Sequence, residues 1–342
     1  MATIRPHGDR RTVIVCGLGP IGAAVARLLH AEGRLAAVVD LVPESLARAR
    51  EEFRGIPPHR TLEAALAAER GAIVALCTRS SFLEVVPDLR TAASAGAPVV
   101  TSCEEACWPF VRFPEAAREI DRVARDGGAP ILATGINPGY LMDVLPAIVA
   151  APFGPGEQIV VTRRVDASTR RLPLQEKIGI GLSVEKFNAR REAGGIGHRG
   201  LEESLWLLGA GLGIEWDEVE SGVEPVIAAR GIDTPLGEVP PGGVIGMHNR
   251  GFARRSARSG DPTRKDVRAE LDLVMAYGLP DPVDRIEIIG ATPEPIRFEV
   301  AGGVPGDEGT ARTMLSALDR ITALPPGLRT MLDLPGSVRG RW

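Results

Sequence analysis

Residues 99–109 read VVTSCEEACWP and combine two kinds of reactive side chain, thiols and carboxylates. Cys103 and Cys107 are four residues apart, a spacing that puts two thiols on one face of a helix. Glu104 and Glu105 lie between them and could instead transfer protons. A zinc site needs four ligands, or three and a water, and the sequence has no second Cys/His pair at a suitable spacing. We therefore expect no metal site and interpret both cysteines as packing residues.

The run VVTS predicts a buried strand that ends just before the glutamates. Glu104 then has two possible roles. It could be an acid/base group at the carboxyl end of a strand, or an acidic first-turn residue that the dipole of the next helix favours. Position alone does not choose between them.

Residues 17–22, GLGPIG, match G-x-G-x-x-G between a β-branched strand (TVIVC) and a helical pattern, which makes the motif specific. The first glycine permits a tight turn, the second lets backbone N–H groups approach a pyrophosphate, and the third lets helix and strand pack closely. The helix N-terminus would attract the phosphates. The predicted cofactor-binding residues of this loop are Gly17, Gly19, Pro20, Ile21 and Gly22.

Asp40 ends the next predicted strand, LAAVVD, where it could accept hydrogen bonds from the adenosine ribose hydroxyls. Its charge would repel a 2′-phosphate, which favours NAD over NADP. NADP stays possible, because Arg48 or Arg50 could reach a phosphate. Asp40 could also be a helix-capping residue.

The elements that position these residues change character along the chain. Up to about residue 138, short apolar runs alternate with helical segments, which predicts a Rossmann-type doubly wound parallel sheet. Later runs such as QIVVTRRVDAST alternate polar and apolar residues, which predicts an α+β domain with a largely antiparallel sheet. We expect a dinucleotide-binding domain of residues 1–137, joined by a C-terminal helix and tail of residues 307–342. Residues 138–306 would form a substrate and dimerisation domain.

Ligands of doubly wound folds bind beyond the carboxyl ends of the strands. Two further segments, LCTRSS (76–81) and LATGINPGYLMD (132–143), should therefore join the glutamates there. Thr78 and Arg79 are expected to lie at the nicotinamide side of the cofactor. Asn137 begins a turn that is expected to lead into the second domain.

Several of these segments, in order, resemble one family: TSCEE, GINPGYLMD, DASTRRLPLQEKIGIG, GHRGLEES and GLRTMLDLP. Across nearly the whole chain the sequence looks like the 2,4-diaminopentanoate dehydrogenases and the related native amine dehydrogenases. The resemblance implies NAD(P)-dependent interconversion of an amine with a carbonyl compound plus ammonia. It also implies that Glu104 is the catalytic acid/base, which leaves Glu105 as a structural residue of the first turn. Asn137 and Tyr140 resemble family residues near the cofactor and substrate. Most relatives carry Phe where this chain has Tyr140, which leaves the amine specificity open.

The resemblance extends to a substrate cavity formed partly by the second domain. Its candidate residues are Tyr140, Met142, Arg171, Gln175, Lys177 and His198. A basic cluster there would favour a substrate carboxylate, and hence a diamino acid. Each residue also has a structural interpretation: charged clusters are often solvated, a lone histidine is often structural, and Met142 could be core.

The chain as a whole has 342 residues, 44% of them hydrophobic, and a formal net charge of −4. These values predict a globular protein with neither nucleic acid nor membrane as a partner. The polar N-terminus lacks the apolar core of a signal peptide, so we expect a cytoplasmic location. A homodimer is expected from the family, since an open sheet would otherwise expose an apolar face.

Two other activities compete with the amine dehydrogenase. A dihydrodipicolinate reductase resembles this chain in fold but uses a His-His-x-x-Lys segment; no His-His pair occurs here, so we reject that activity. An NAD-binding redox sensor without catalysis stays possible, because the glycine motif alone does not imply chemistry.

Overall fold

The computed structural model describes residues 11–257 and 265–334 and divides into two compact units. The first unit takes the residues up to Leu141 and those from Pro305 on, and the second unit is Met142–Val304. The turn at Asn137 stays in the first unit, because the Leu141 N–H donates to the Ile136 carbonyl at 2.9 Å and closes the turn on itself. The ends of the predicted first domain, residues 1–10 and 335–342, lie outside the described residues.

The first unit contains a seven-stranded, wholly parallel sheet with helices between its strands. Its strands are β1 Val13–Cys16, β2 Leu35–Val39, β3 Pro58–His59, β4 Ile73–Leu76, β5 Val99–Thr101, β6 Pro130–Ala133 and β15 Gly327–Arg329. Its helices are α1 Pro20–Ala31, α2 Pro43–Glu52, α3 Leu62–Ala68, α4 Phe82–Ser94, α5 Pro114–Asp126 and α10 Gly306–Leu318. The strand order is β15-β6-β5-β4-β1-β2-β3.

This order confirms the predicted doubly wound sheet. Strands β1 and β4 are buried along their whole length, as expected for strands covered on both faces. The order reverses between β1 and β4, so the crevice for a ligand lies at their carboxyl ends. The glycine motif follows β1, and Thr78 follows β4.

The C-terminal segment differs from the prediction of one long helix and a tail. Helix α10 ends at Leu318, and the chain then adds strand β15 to the sheet edge, parallel to β6. The Asp121 carboxylate holds this strand by accepting the Leu328 N–H at 2.9 Å. A three-residue strand is too short to show a hydrophobic period, which is why the sequence did not reveal it.

The second unit contains a six-stranded mixed sheet in the order β14-β13-β7-β12-β11-β8. Only the β7–β12 pair is parallel, so the sheet is mostly antiparallel, as predicted. Its strands are β7 Gln158–Asp166, β8 Glu218–Ile227, β11 Val244–Arg255, β12 Val267–Ala276, β13 Val283–Ile289 and β14 Ile296–Ala301, and a hairpin adds β9 Ile232–Thr234 and β10 Gly237–Val239. Its helices are α6 Val144–Ala150, α7 Leu172–Lys177, α8 Val184–Glu192 and α9 Leu201–Leu212.

One face of this sheet carries the core of the second unit. Leu201, Leu205 and Leu208 of α9 pack with Leu271 and the other buried strand residues. Helix α8 was not predicted. It lies within the glycine-rich residues 179–200, and Phe187 is the one residue of the helix that is buried, so the helix has no apolar face to show a period.

The expectation of an apolar opposite face is wrong. On this face, neighbouring strands place Glu224 beside His248 and Arg250 beside Asp272. Further along the same face, Arg285 on β13 and Glu299 on β14 form an ion pair at 2.8 Å. Antiparallel sheets commonly keep one polar face in water. The face therefore gives no reason of its own for a dimer. Among the described residues, no helix is both long and apolar enough to cross a bilayer.

Candidate active site

The loop after β1 is built so that only glycine fits at two of its positions. Gly17 has a φ of +90°, and a Cβ there would lie 2.5 Å from the Cys77 carbonyl oxygen. A Cβ on Gly22 would lie 1.8 Å from the Gly17 carbonyl oxygen. The loop, helix α1 and the end of β4 are therefore packed backbone against backbone.

Gly19 is different, because a Cβ there would meet nothing within 4 Å. It precedes the first residue of α1, Pro20, and no side chain caps this helix. The first turn of α1 also contains no acidic residue. Open space beside uncapped N–H groups is the arrangement that a dinucleotide pyrophosphate requires.

The Asp40 carboxylate spans the loops after β1 and β2. Its Oδ2 accepts the Leu18 N–H at 2.7 Å, and its Oδ1 accepts the Val42 N–H at 2.8 Å. Asp40 thus holds the glycine loop and also makes the local turn that leads into α2. Each carboxylate oxygen has a further lone pair that a ribose hydroxyl could use.

Two threonine hydroxyls at the same sheet edge have no hydrogen-bond partner among the described residues. They are Thr78 Oγ1 after β4 and Thr134 Oγ1 after β6. Buried polar atoms are rarely left unpaired, so these two fit a bound polar ligand such as a cofactor. Arg79, next to Thr78, is well exposed and lies 3.6 Å from the Glu84 carboxylate.

The adjacent glutamates after β5 differ in their surroundings. Glu104 begins a 3₁₀ turn, Glu104–Cys107, and is partly exposed. Glu105 is 3% exposed, and its Oε2 accepts the Phe82 N–H at the start of α4 at 2.9 Å. Glu105 thus makes a structural contact with a different helix, α4. Glu104 also makes an interaction of its own.

Cys103 supports the same turn. Its thiol donates to the Ser80 carbonyl at 3.2 Å, and burial raises the thiol pKa above its ordinary value. A thiol that stays protonated is unsuited to nucleophilic catalysis. Among the described residues, no group of three or more His, Cys, Asp or Glu side chains could hold a metal ion.

Asn137 and Tyr140 follow β6 at this edge. Asn137 is 8% exposed, whereas Tyr140 is partly exposed. Gly139 has a φ of +114°, and a Cβ there would lie 2.9 Å from Thr134 Oγ1. The first unit therefore brings together, at one sheet edge, its predicted site residues, which follow β1, β2, β4, β5 and β6.

The candidates of the second unit are more dispersed. Arg171 precedes α7 and Lys177 ends it, so about 9 Å of helix axis and about 120° of rotation separate them. Both are exposed. Gln175 between them is buried, and its Nε2 donates to the Arg170 carbonyl at 2.7 Å while its Oε1 has no partner among the described residues. The structure thus gives no compact basic cluster on α7.

Met142 and His198 have separate environments. Met142 is fully buried in the core of the second unit, where it packs with α9. His198 is partly exposed, and its backbone N–H donates to Asn249 Oδ1 at 2.7 Å. Asn249 itself donates to the Gly222 carbonyl at 3.1 Å, so it ties the His198 loop to the sheet.

Sequence reasoning missed Asn249 and Thr134. Asn249 faces the core within a long strand, and an isolated polar residue at a core position is a signal that could have identified it. Thr134 follows β6 directly, and Thr78 lies two residues after the end of β4, so the same edge rule could have included Thr134.

The seven-stranded parallel sheet, and the polar residues at the carboxyl ends of its strands, are those of a dehydrogenase with a Rossmann-type dinucleotide-binding unit. A family model described as the 2,4-diaminopentanoate dehydrogenase C-terminal domain matches residues 140–339. The chain therefore belongs to the 2,4-diaminopentanoate dehydrogenase family, and it is an oxidoreductase acting on amines. The predicted resemblance is confirmed.

Three relatives show the range of this similarity. A 2,4-diaminopentanoate dehydrogenase from Acetoanaerobium sticklandii is 28% identical across 96% of this chain and 94% of its own length. An amine dehydrogenase from Streptomyces virginiae is 24% identical across 95% of this chain and 96% of its own. The solved amine dehydrogenase from Mycobacterium smegmatis shares the fold with a TM-score of 0.82 at 20% identity, covering 98% of this chain and 99% of that one.

Proposed function

We propose that the protein is an NAD(P)-dependent amine dehydrogenase that interconverts an amine with a ketone or aldehyde plus ammonia, with Glu104 as the acid/base. One observation carries the proposal. Glu104 follows β5, two strands from the glycine loop, or about 10 Å across the sheet. This is the side of the switch point toward which the nicotinamide half of a dinucleotide extends. The carboxylate of the neighbouring Glu105 accepts the Phe82 N–H and so serves a structural contact.

The reaction needs a carboxylate at this position. Ammonia is mostly ammonium at neutral pH, so a base must remove a proton before nitrogen attacks the carbonyl carbon. The carbinolamine then loses water, which requires a proton on its hydroxyl. Glu104 would take the first proton and return one for the second step, and its charge would stabilise the iminium cation. The bound nicotinamide supplies or accepts the hydride.

For the cofactor we propose NAD in preference to NADP. Asp40 would repel a 2′-phosphate, and the two residues after it, Leu41 and Val42, are exposed and uncharged. Arg48 donates to Ser45 Oγ at 3.3 Å, and Arg50 lies in the last turn of α2. Neither arginine is adjacent to Asp40 in the chain. The residues that would hold the cofactor are Gly17, Gly19, Pro20, Ile21, Gly22, Asp40, Thr78, Arg79 and Asn137.

The second candidate function is 2,4-diaminopentanoate dehydrogenase activity on a diamino acid. The Acetoanaerobium relative carries that name, and the buried Gln175 Oε1 is an acceptor that a substrate ammonium could use. The dispersed positions of Arg171 and Lys177 favour the plain carbonyl or amine. We also keep the homodimer and the cytoplasmic location as predictions from the family and from composition.

A panel of carbonyl compounds tests the proposal. Ketones and aldehydes of three to eight carbons are incubated with the protein, ammonia and either NADH or NADPH, and the amine products are identified by mass spectrometry with ¹⁵N-ammonia. We expect ¹⁵N-amine from at least one carbonyl, with NADH the better cofactor. Oxidation of 2,4-diaminopentanoate alone would favour the second candidate. Cofactor binding without turnover of any compound would favour a redox sensor.

A further inference from the structure

We infer that Glu105 is a positioning residue for Glu104, an inference that rests on the proposed function. Together with Cys103, Ser80 and Phe82 it forms what we term the Glu105 clamp, which fixes the Glu104 turn to the start of α4. Four observations support the clamp, and each is independent of any bound ligand.

The first observation is a helix cap supplied from a distant segment. Ser81 occupies the N-cap position of α4, where serine is usually a good cap, yet its side chain makes no cap hydrogen bond. The Glu105 carboxylate, 23 residues later, accepts the Phe82 N–H at 2.9 Å instead. The positive end of the α4 dipole stabilises this buried charge. The cap therefore joins the Glu104 turn to α4 rather than serving α4 alone.

The second observation concerns the Ser80 carbonyl, which accepts two hydrogen bonds from the Glu104 turn. The Cys103 thiol donates to it at 3.2 Å and the Glu105 N–H at 3.3 Å. These donors flank Glu104 on both sides in the chain. The backbone of Glu104 is thus held from the residue before it and the residue after it.

The third observation is a second contact of the Glu105 carboxylate. Its Oε1 lies 3.7 Å from Arg112 Nη1. The Arg112 guanidinium in turn lies 5.3 Å from the centre of the Phe113 ring, and that ring is 5.8 Å from the Phe82 ring. The contacts close a ring of four residues around the cap, so Glu105 has little freedom to change rotamer.

The fourth observation is that the clamp also reaches the loop of Thr78 and Arg79. Ser80 and Ser81 continue that loop into α4. At the start of the loop, the Leu76 carbonyl accepts the Ser102 N–H at 3.0 Å. One clamp therefore sets the spacing between the loops after β4 and β5. Misplacing a catalytic group by about 1 Å costs roughly 100-fold in rate, so such a constraint matters for a proton-transferring carboxylate.

The test combines hydrogen exchange with steady-state kinetics on the full chain. In E105A we expect the Phe82 amide to exchange about 10–100-fold faster, because it loses a charge-assisted hydrogen bond. We expect kcat for ammonia-dependent NADH oxidation to fall at least about tenfold, with the KM for NADH changed less than about twofold. E105Q keeps an acceptor oxygen and should lie between E105A and the wild type in both measurements.

Cys103 gives a second test if E105A does not fold. C103S keeps a donor for the Ser80 carbonyl and should retain kcat, whereas C103A should lower it. S81A is the matched control, since this hydroxyl makes no cap bond, and it should change neither exchange nor kcat. An E105A variant with a fast-exchanging Phe82 amide and an unchanged kcat would overturn the positioning role and leave Glu105 as a helix cap. Equal kcat in C103A and C103S would count against the role of Cys103.

Failure of the proposed function would look different. If E104Q is as active as the wild type, Glu104 is not the acid/base and there is no catalytic group for Glu105 to position. The exchange rate of the Phe82 amide would still report whether the clamp exists.

Discussion

Glu104 and Glu105 are adjacent in the chain, yet the structure surrounds their side chains differently. The Glu105 carboxylate is buried at the start of α4, whereas Glu104 is partly exposed at the sheet edge. The sequence narrowed the candidates to these two residues, because both follow a strand. It could not assign their roles from position, because the Phe82 amide that distinguishes them is contributed by a helix 23 residues away.

Asp40 gives a prediction on cofactor preference. In D40N the one remaining carbonyl oxygen can still accept the Leu18 N–H, but the side chain loses its negative charge and its acceptor for the Val42 N–H. We expect the ratio of kcat/KM for NADH to that for NADPH to fall by at least about tenfold, because charge repulsion of the 2′-phosphate is removed. Steady-state kinetics with both cofactors measures the ratio. E44Q, which neutralises an acidic residue in the first turn of α2, is the control and should leave the ratio unchanged.

An unchanged ratio in D40N would mean that Asp40 serves only the loop and the helix turn. The NAD preference would then have no support from this residue.

At the scale of elements, two glycines of the same loop have different roles: Gly22 is required for packing, and Gly19 leaves space for a ligand. A methyl group on Gly22 would lie 1.8 Å from the Gly17 carbonyl, whereas one on Gly19 would meet nothing within 4 Å. We expect G22A to lower the free energy of unfolding by about 1–3 kcal/mol, since backbone must move. G19A should leave stability unchanged but raise the NADH Kd, because the methyl group takes the space of the pyrophosphate.

Denaturant unfolding and NADH fluorescence titration measure the two effects. Equal stability of G22A and G19A, or unchanged NADH affinity in G19A, would contradict the arrangement.

The elements differ in how well the sequence predicted them. Strands β1, β2 and β4 were evident because they are apolar runs bounded by turn residues, and α9 because of its length and hydrophobicity. Strand β15 was not predictable, since three residues carry no period and its place depends on a tertiary bond to Asp121. Helix α8 was obscured by flanking glycines and by its largely polar surface.

At the scale of the whole molecule, a buried ion pair joins two strands of the second unit. Arg163 on β7 and Asp284 on β13 are neighbours in the sheet, and their Nη1 and Oδ2 atoms are 3.5 Å apart. Asp284 Oδ2 also accepts the Val304 N–H at 2.6 Å, and Arg163 Nη2 donates to the Val304 carbonyl at 2.7 Å. Burial raises the pKa of Asp284, while the charge of Arg163 opposes the rise.

Removing one member of this pair leaves the other buried without its partner. We expect D284A to lower the free energy of unfolding by about 3–5 kcal/mol. The double variant R163M/D284L should lose less than D284A, because it leaves no isolated charge. Denaturant unfolding of the intact protein compares the three. R285A, which breaks the more exposed pair with Glu299, is the control and should cost about 0–1 kcal/mol. A D284A variant as stable as R285A would contradict the role of the pair.

The sequence predicted both sheets of the molecule but misjudged one surface. The alternation predicted for β7 is present in its alternating burial, although the charged Arg163 lies on the buried face. The opposite face was expected to be apolar, yet its charges become evident only once the strand register is known. Register is a tertiary property that local periods do not fix across six strands.

The central claim is that Glu104 transfers protons in an amine dehydrogenase reaction. The most direct measurement compares ammonia-dependent NADH oxidation by the wild type and E104Q, with the best carbonyl from the panel. We predict that E104Q binds NADH normally but loses at least about 100-fold in kcat, because glutamine cannot exchange a proton. E119Q, which neutralises an exposed carboxylate paired with Arg90 on the surface, should retain full activity. Wild-type turnover by E104Q would contradict the assignment.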